Sequence, residues 1–344
     1  MRTRGPRYRF GYLPSRRRAR RGWWPALPLL AACLAVLAAT FALVQGSGSP
    51  PPAAPADEAL QGGQPAAPAL PPPRSGEGGQ GGEARLPTPL SPPPQLSGQA
   101  AVVVEEPCGA LLYDLNGHQR LPPASLTKIV TALVAVQRAP LSAMVPVDVD
   151  GGVLNFTTGS TVMGLKPGMS LPMRDLLYGL LLPSGSDAAL AIATYVAGDV
   201  PAFVELMNRE VQRLGLRDSQ FRNPHGLDEP DHYSSAYDMA MLGRELLRRP
   251  ELAAMVAART YQPAWNGPLL WNNNSFLYWY PGAIGVKIGY TEQARQTLVA
   301  AAERQGRRLI ASVLGSQDAV TDAGRLLDWA FASIAPQCSP GSER

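Results

Sequence analysis

Lysine is almost missing from this chain: of 31 basic residues only Lys128, Lys166 and Lys287 are lysines. Histidine and cysteine number three each, and no pair of them has Cys-x-x-Cys or His-x-x-x-His spacing. A metal centre is therefore not expected, nor any other cofactor. Positive charge is also scarce where a folded domain would need it. Nine arginines and no acid precede Trp23, which leaves 22 basic against 27 acidic residues in the remainder. A domain with that balance lacks the clustered positive face that binds nucleic acid. What the chain does have is length and apolar content, 344 residues at 45% hydrophobic, enough to bury a large core.

Proline and glycine are abundant but badly distributed, with 24 of them in residues 46–98. Such a stretch cannot build a core and reads as a disordered tether. It follows an uncharged apolar run, residues 23–44, which as a helix spans about 33 Å, enough for a hydrocarbon core of about 30 Å. By the positive-inside rule the Arg-rich residues 1–22 stay in the cytoplasm and everything after residue 46 is outside. The expected organisation is a basic tail (1–22), a single-pass signal-anchor (23–45), a Pro/Gly-rich linker (46–98), a catalytic domain (99–337) and a short tail (338–344). Cleavage near Val44-Gln45-Gly46 is the alternative, giving a secreted protein, and either way the domain is exported. Export permits a disulfide, and Cys108, next to the first strand, and Cys338, after the last helix, are expected to pair while Cys33 stays free.

Within the domain, residues 101–105 and 109–114 read as strands around a turn and 126–137 as a buried helix. Residues 171–182, 188–196 and 202–214 read as further helices. Residues 285–290, 296–303 and 308–314 then read as strands ahead of a final helix at 322–334. Strands at both ends enclose a helical middle: an α/β fold with an antiparallel sheet flanked by helices and an inserted helical subdomain.

The segment Pro122-Pro123-Ala124-Ser125-Leu126-Thr127-Lys128 places a serine in the first turn of a helix and a lysine three residues later, on the same face. A serine hydroxyl needs a base to take its proton, and a desolvated lysine amine can serve where arginine cannot. The helix N-terminus offers backbone N–H groups to a developing oxyanion. Taken alone, Ser-x-x-Lys also fits an ordinary helix start with a capping serine and a solvated lysine. Two further segments change the weighting: Ser184-Gly185-Ser186 between two helices and Gly285-Val286-Lys287-Ile288-Gly289-Tyr290-Thr291 on a strand. Two of the three lysines then fall on motif positions.

In this order the three segments resemble the active-site signature of penicillin-binding proteins and serine β-lactamases, Ser-x-x-Lys, Ser-x-Asn and Lys-Thr-Gly. The closer resemblance, over residues 99–335, is to the low-molecular-mass D-Ala-D-Ala carboxypeptidases. It includes Met207-Asn208, Leu214-Gly215 and Phe221-Arg-Asn-Pro-His-Gly-Leu-Asp228. The resemblance implies a serine-type carboxypeptidase that trims peptidoglycan stem peptides ending in D-Ala-D-Ala through an acyl-serine intermediate, with β-lactams as inhibitors. It implies that Ser125 is the nucleophile, Lys128 its base and Ser184 a proton relay to the leaving D-Ala. Substrate binding would fall to Lys287, Ser186, Gly289, Tyr290 and Thr291, with the backbone N–H groups of Ser125 and Tyr290 as oxyanion hole. Two positions depart from the pattern: Ser186 stands where Asn is usual, and Ile288 where Thr is usual. Residues 317–321 also hold no arginine. Rival readings are a wall-binding module impaired in turnover and a β-lactamase, the latter disfavoured because no glutamate stands in a recognisable deacylation motif. His225 and His232 read as structural, and Asn272-Asn273-Asn274 as a loop with no assigned site.

Overall fold

Five consecutive apolar residues, Ala100 to Val104, are fully buried, so the strand they form must be covered on both faces. The computed structural model describes residues 86–265 and 267–339, which leaves the predicted tail 1–22, the segment 23–45 with Cys33, and most of the linker outside the described residues. In it, strand β1 (Ala100–Glu106) pairs antiparallel with β2 (Ala110–Leu115). The helical middle follows: α1 (Thr127–Arg138), the short strand β3 (Met144–Pro146), α2 (Gly151–Thr158), β4 (Ser170–Pro172), α3 (Met173–Leu181), α4 (Ser186–Ala197), α5 (Val200–Arg213), α6 (Ala236–Leu247) and α7 (Pro250–Ala257). A small ribbon of β5 (Thr260–Tyr261) and β6 (Leu270–Trp271) and the turn-length α8 (Phe276–Trp279) lead into β7 (Ala283–Thr291), β8 (Arg295–Arg304) and β9 (Arg307–Ser316). Helix α9 (Ala319–Ser333) closes the domain.

The five long strands form one antiparallel sheet in the order β2-β1-β9-β8-β7. Its two faces are built from alternating residues. Val102, Val104, Val299, Ala301 and Ile310 join the core beneath the helical middle, while Val103, Leu298, Ala300, Ala302 and Val313 join a second core under α9. The small residues Ala300, Ala301 and Ala302 in β8 let helices approach on both sides. Helix α1 is buried from Thr127 to Ala135 and so runs through the middle of the domain, carrying its first turn to the inner face of the edge strand β7.

The expected fold holds, with local differences. Residues 171 and 172, expected within a helix, pair as β4 with β3, and the helix starts at Met173 because Pro172 opens it. Helices α2, α6, α7 and α8 were not anticipated, although Ser235 caps α6 by accepting from Asp238 N at 3.1 Å, a Ser-x-x-Asp signal readable in the sequence. Cys108 and Cys338 form a disulfide.

Residues 86–98, assigned to the linker from composition, make specific contacts with α9. Leu90 N donates to Ser333 O at 2.8 Å, and Trp329 Nε1 donates to Ser91 O at 2.8 Å. The buried Asp322 carboxylate accepts from Ser97 N (3.1 Å), Ser97 Oγ (2.8 Å), Gly98 N (3.0 Å) and Ser316 Oγ (2.7 Å). A domain beginning at Gln99 leaves that carboxylate with one of its four donors. Its melting temperature is expected to fall by about 5–10 °C relative to a domain beginning at residue 86, from about 1–3 kcal/mol per unmet buried group. Equal melting temperatures would show the strap to be dispensable.

Candidate active site

The turn that carries Ser125 is held in an uncommon shape. Ala124 has φ +50°, a left-handed conformation for a residue with a Cβ, worth about 1–3 kcal/mol of strain. Three contacts hold it there. Thr127 Oγ1 donates to Ala124 O at 2.9 Å, and Thr297 Oγ1, from β8, donates to Pro123 O at 3.1 Å. Gly226, at φ +88°, packs so close that a Cβ would lie 1.9 Å from Ala124 O. Gly289 does the same from the sheet side, since a Cβ there would lie 2.8 Å from Ser125 N. Edge strand β7 can therefore lie directly on the serine-bearing turn.

Lys128, one turn further on and fully buried, points its amine at Ser125. Its Nζ lies 3.0 Å from Ser125 Oγ, 3.5 Å from Ser186 Oγ and 2.6 Å from His225 O. Desolvation, then the nearby Lys287 charge, hold its pKa well below the ordinary value of 10.5, opposed by Asp187. A neutral amine has two N–H bonds and one lone pair. The His225 carbonyl can only accept, and the Ser186 hydroxyl can take the second N–H, so the lone pair remains for the Ser125 proton. Lys287, also buried, donates to Ile288 O at 2.9 Å, and burial lowers its pKa to about 7.

Ser184 has φ +68°, and its Oγ is buried without a hydrogen-bond partner while its carbonyl accepts from Thr161 Oγ1 at 2.8 Å. An unsatisfied hydroxyl in such a place is free for a ligand. The loop holding Ser184 and Ser186 is fixed by Asp187, which sequence reasoning passed over. Its buried carboxylate accepts backbone N–H groups of Met163, Gly164, Leu165 and Ala188, each at 2.9 Å.

A cleft of about 790 Å³ opens over this cluster. Ser125, Ser184, Ser186, Gly289, Tyr290 and Thr291 line it, whereas Lys128 and Lys287 lie beneath its floor. All eight residues singled out in the sequence thus meet at one place. Ile288 lines the cleft too and packs with Val320 toward the α9 side. Thr291 Oγ1 donates to Asp228 Oδ1 at 2.8 Å. Among the residues that line the cleft, the charged ones are Asp228 and Glu292, both acidic. Other lining residues had no sequence signal: Thr158 to Thr161 at the end of α2 and just beyond it, Ser275, and Ala319 with Val320 on the first turn of α9. Asn273, left without a site in the sequence, lines the cleft and donates to Pro183 O at 3.1 Å, while Asn272 and Asn274 are buried beside it.

The histidines are not paired with a serine. His225 contributes its carbonyl, and its Nδ1 accepts from Leu227 N at 3.2 Å. Burial, followed by the Lys128 charge, lowers its ring pKa to about 3. His232, lowered to about 4 by burial and then Arg222, lies behind the Ser125 turn.

A family model for D-alanyl-D-alanine carboxypeptidases matches residues 88–318. The chain is 34% identical over 241 residues to the D-alanyl-D-alanine carboxypeptidase DacF of Bacillus subtilis, covering 68% of this chain and 62% of that one. It is 37% identical over 252 residues to DacD of Escherichia coli, covering 69% and 64%. The chain therefore spans under two thirds of the length of these relatives. The crystal structure of the D-alanyl-D-alanine carboxypeptidase from Mycobacterium tuberculosis superimposes with a TM-score of 0.67 at 34% identity, covering 75% of this chain and 99% of that one. With its serine, lysine and second serine converging on one cleft, and with these matches over its folded part, the chain belongs to the D-alanyl-D-alanine carboxypeptidase family.

Proposed function

We propose that the protein removes the terminal D-Ala from peptidoglycan stem peptides through an acyl-serine intermediate. The observation that carries this reading is the buried, low-pKa Lys128 amine 3.0 Å from Ser125 Oγ. Lys128 takes the Ser125 proton as Oγ attacks the penultimate D-Ala carbonyl, and the N–H groups of Ser125 and Tyr290 hold the resulting oxyanion. When the C–N bond breaks, the leaving amine receives a proton by way of Ser184. Water then hydrolyses the ester along the reverse proton path. Lys287 adds positive charge below the floor. The experiment is incubation with a fluorescent penicillin and mass mapping of the adduct, expected on Ser125 and absent from Ser125→Ala. An adduct elsewhere overturns the assignment.

We further infer that residues 23–45 anchor the protein in the cell membrane with the domain outside, supported by the Arg-rich flank, the apolar run and the Cys108–Cys338 disulfide.

Ile288 sets an expectation for substrate preference. If a hydroxyl there assists carboxylate binding, its loss costs about 1.5–3 kcal/mol, or roughly 10- to 150-fold in kcat/KM. Ile288→Thr should raise cleavage of a D-Ala-D-Ala peptide more than that of a simple thioester. An unchanged ratio would mean that another group binds the carboxylate.

A further inference from the structure

We infer that His232 is a positioning residue for the nucleophile, acting through Thr127 on the strained Ala124; this rests on the reading that Ser125 is acylated. The hydrogen-bond directions around its ring leave one arrangement. A backbone N–H can only donate, so His232 Nδ1, 3.1 Å from Arg222 N, accepts. The neutral ring then carries its proton on Nε2, 2.9 Å from Thr127 Oγ1, and donates to that hydroxyl. The hydroxyl in turn donates its own hydrogen bond to Ala124 O at 2.9 Å. The chain Arg222 N–H to imidazole to Thr127 to Ala124 thus runs in one direction, and every member is buried or backbone.

Its end point is the residue whose φ of +50° aims the next residue, Ser125. Without the imidazole, the Thr127 hydroxyl can rotate to other acceptors, and Ala124 loses one of the contacts that oppose its return to an ordinary backbone region. A displacement of Ser125 Oγ of even 1 Å from the Lys128 amine and the oxyanion donors costs about 10²-fold in rate. The effect should fall on the chemical step, since neither His232 nor Thr127 lines the cleft.

Two substitutions separate this role from simple packing. His232→Asn keeps an acceptor near Arg222 N but removes the donor to Thr127; His232→Gln keeps a donor near Thr127 but loses the acceptor for Arg222. In the full-length protein, the acylation rate constant with a fluorescent penicillin should fall about 10- to 100-fold in His232→Asn and less in His232→Gln. KM for a thioester substrate should stay near wild type in both. In a Thr127→Val background, His232→Asn should cause no further loss of rate. An equal loss in the two variants, the reverse ranking, or additive losses with Thr127→Val would overturn the positioning role while wild-type labelling at Ser125 stands. Should the histidine variants not fold, Thr127→Val alone decides: an acylation rate constant equal to wild type overturns it. A wild-type protein unlabelled at Ser125 overturns the underlying reading and this role with it.

Discussion

Arginine in place of Lys128 is expected to slow acylation of Ser125 by about 10²- to 10⁴-fold, the range that a positioned general base contributes. Arginine keeps a positive charge but does not give up its proton in proteins, so nothing at that position can receive the Ser125 proton. The measurement is the initial rate of adduct formation with a fluorescent penicillin, and equal rates for wild type and Lys128→Arg would remove lysine from the mechanism. The pH dependence follows with a definite sign. In the proposed mechanism the deprotonated amine is the active form, so the rate should rise with pH through the Lys128 pKa, which burial and the Lys287 charge hold well below 10.5. Lys287→Met removes the like charge, raises that pKa and should move the rising limb to higher pH.

Asp187→Asn is expected to lower stability by about 2–5 kcal/mol, read as a shift of the denaturant midpoint with unchanged slope. Oδ2 accepts from Gly164 N and Leu165 N, and Oδ1 from Met163 N and Ala188 N. An amide nitrogen in place of either oxygen faces two backbone donors with a third, and the donors of Met163, Leu165 and Ala188 are buried, with no water to turn to. The substitution has a kinetic signature as well. Asp187 raises the Lys128 pKa, so removing its charge should move the rising limb of the rate to lower pH, opposite to Lys287→Met. An unaltered midpoint, or a limb that moves upward, would mean that Asp187 neither fastens the loop nor acts on the amine.

The parts of the site legible in sequence were those that local spacing fixes. Ser125 and Lys128 share a helix face by arithmetic, and the rarity of lysine made Lys128 and Lys287 conspicuous. The long strands were legible because burial on both faces leaves apolar runs such as Ala100 to Val104. What escaped were residues whose partners lie far away in the chain. Thr297 reaches Pro123 across 174 residues, and His232 reaches Thr127 across 105. Neither position carries a spacing that would reveal it. Helix α2 has exposed Val153 and Phe156 and begins with two glycines, so it lacks an apolar face to read. The strap at 86–98 looked like linker because proline and glycine dominate it, while Ser97, Gly98 and the Ser91 carbonyl do its anchoring.

That strap also sets a direction. It meets α9 at Ser333 through Leu90 and at Asp322 through Ser97, so it runs antiparallel to the helix, over 11 residues or about 16 Å. The cleft adjoins the opposite end, at Ala319 and Val320. The described chain therefore enters the domain at the end of α9 that lies away from the cleft. On the anchoring proposed above, a pull at the point where the chain enters the domain would turn the opening of the cleft away from the bilayer.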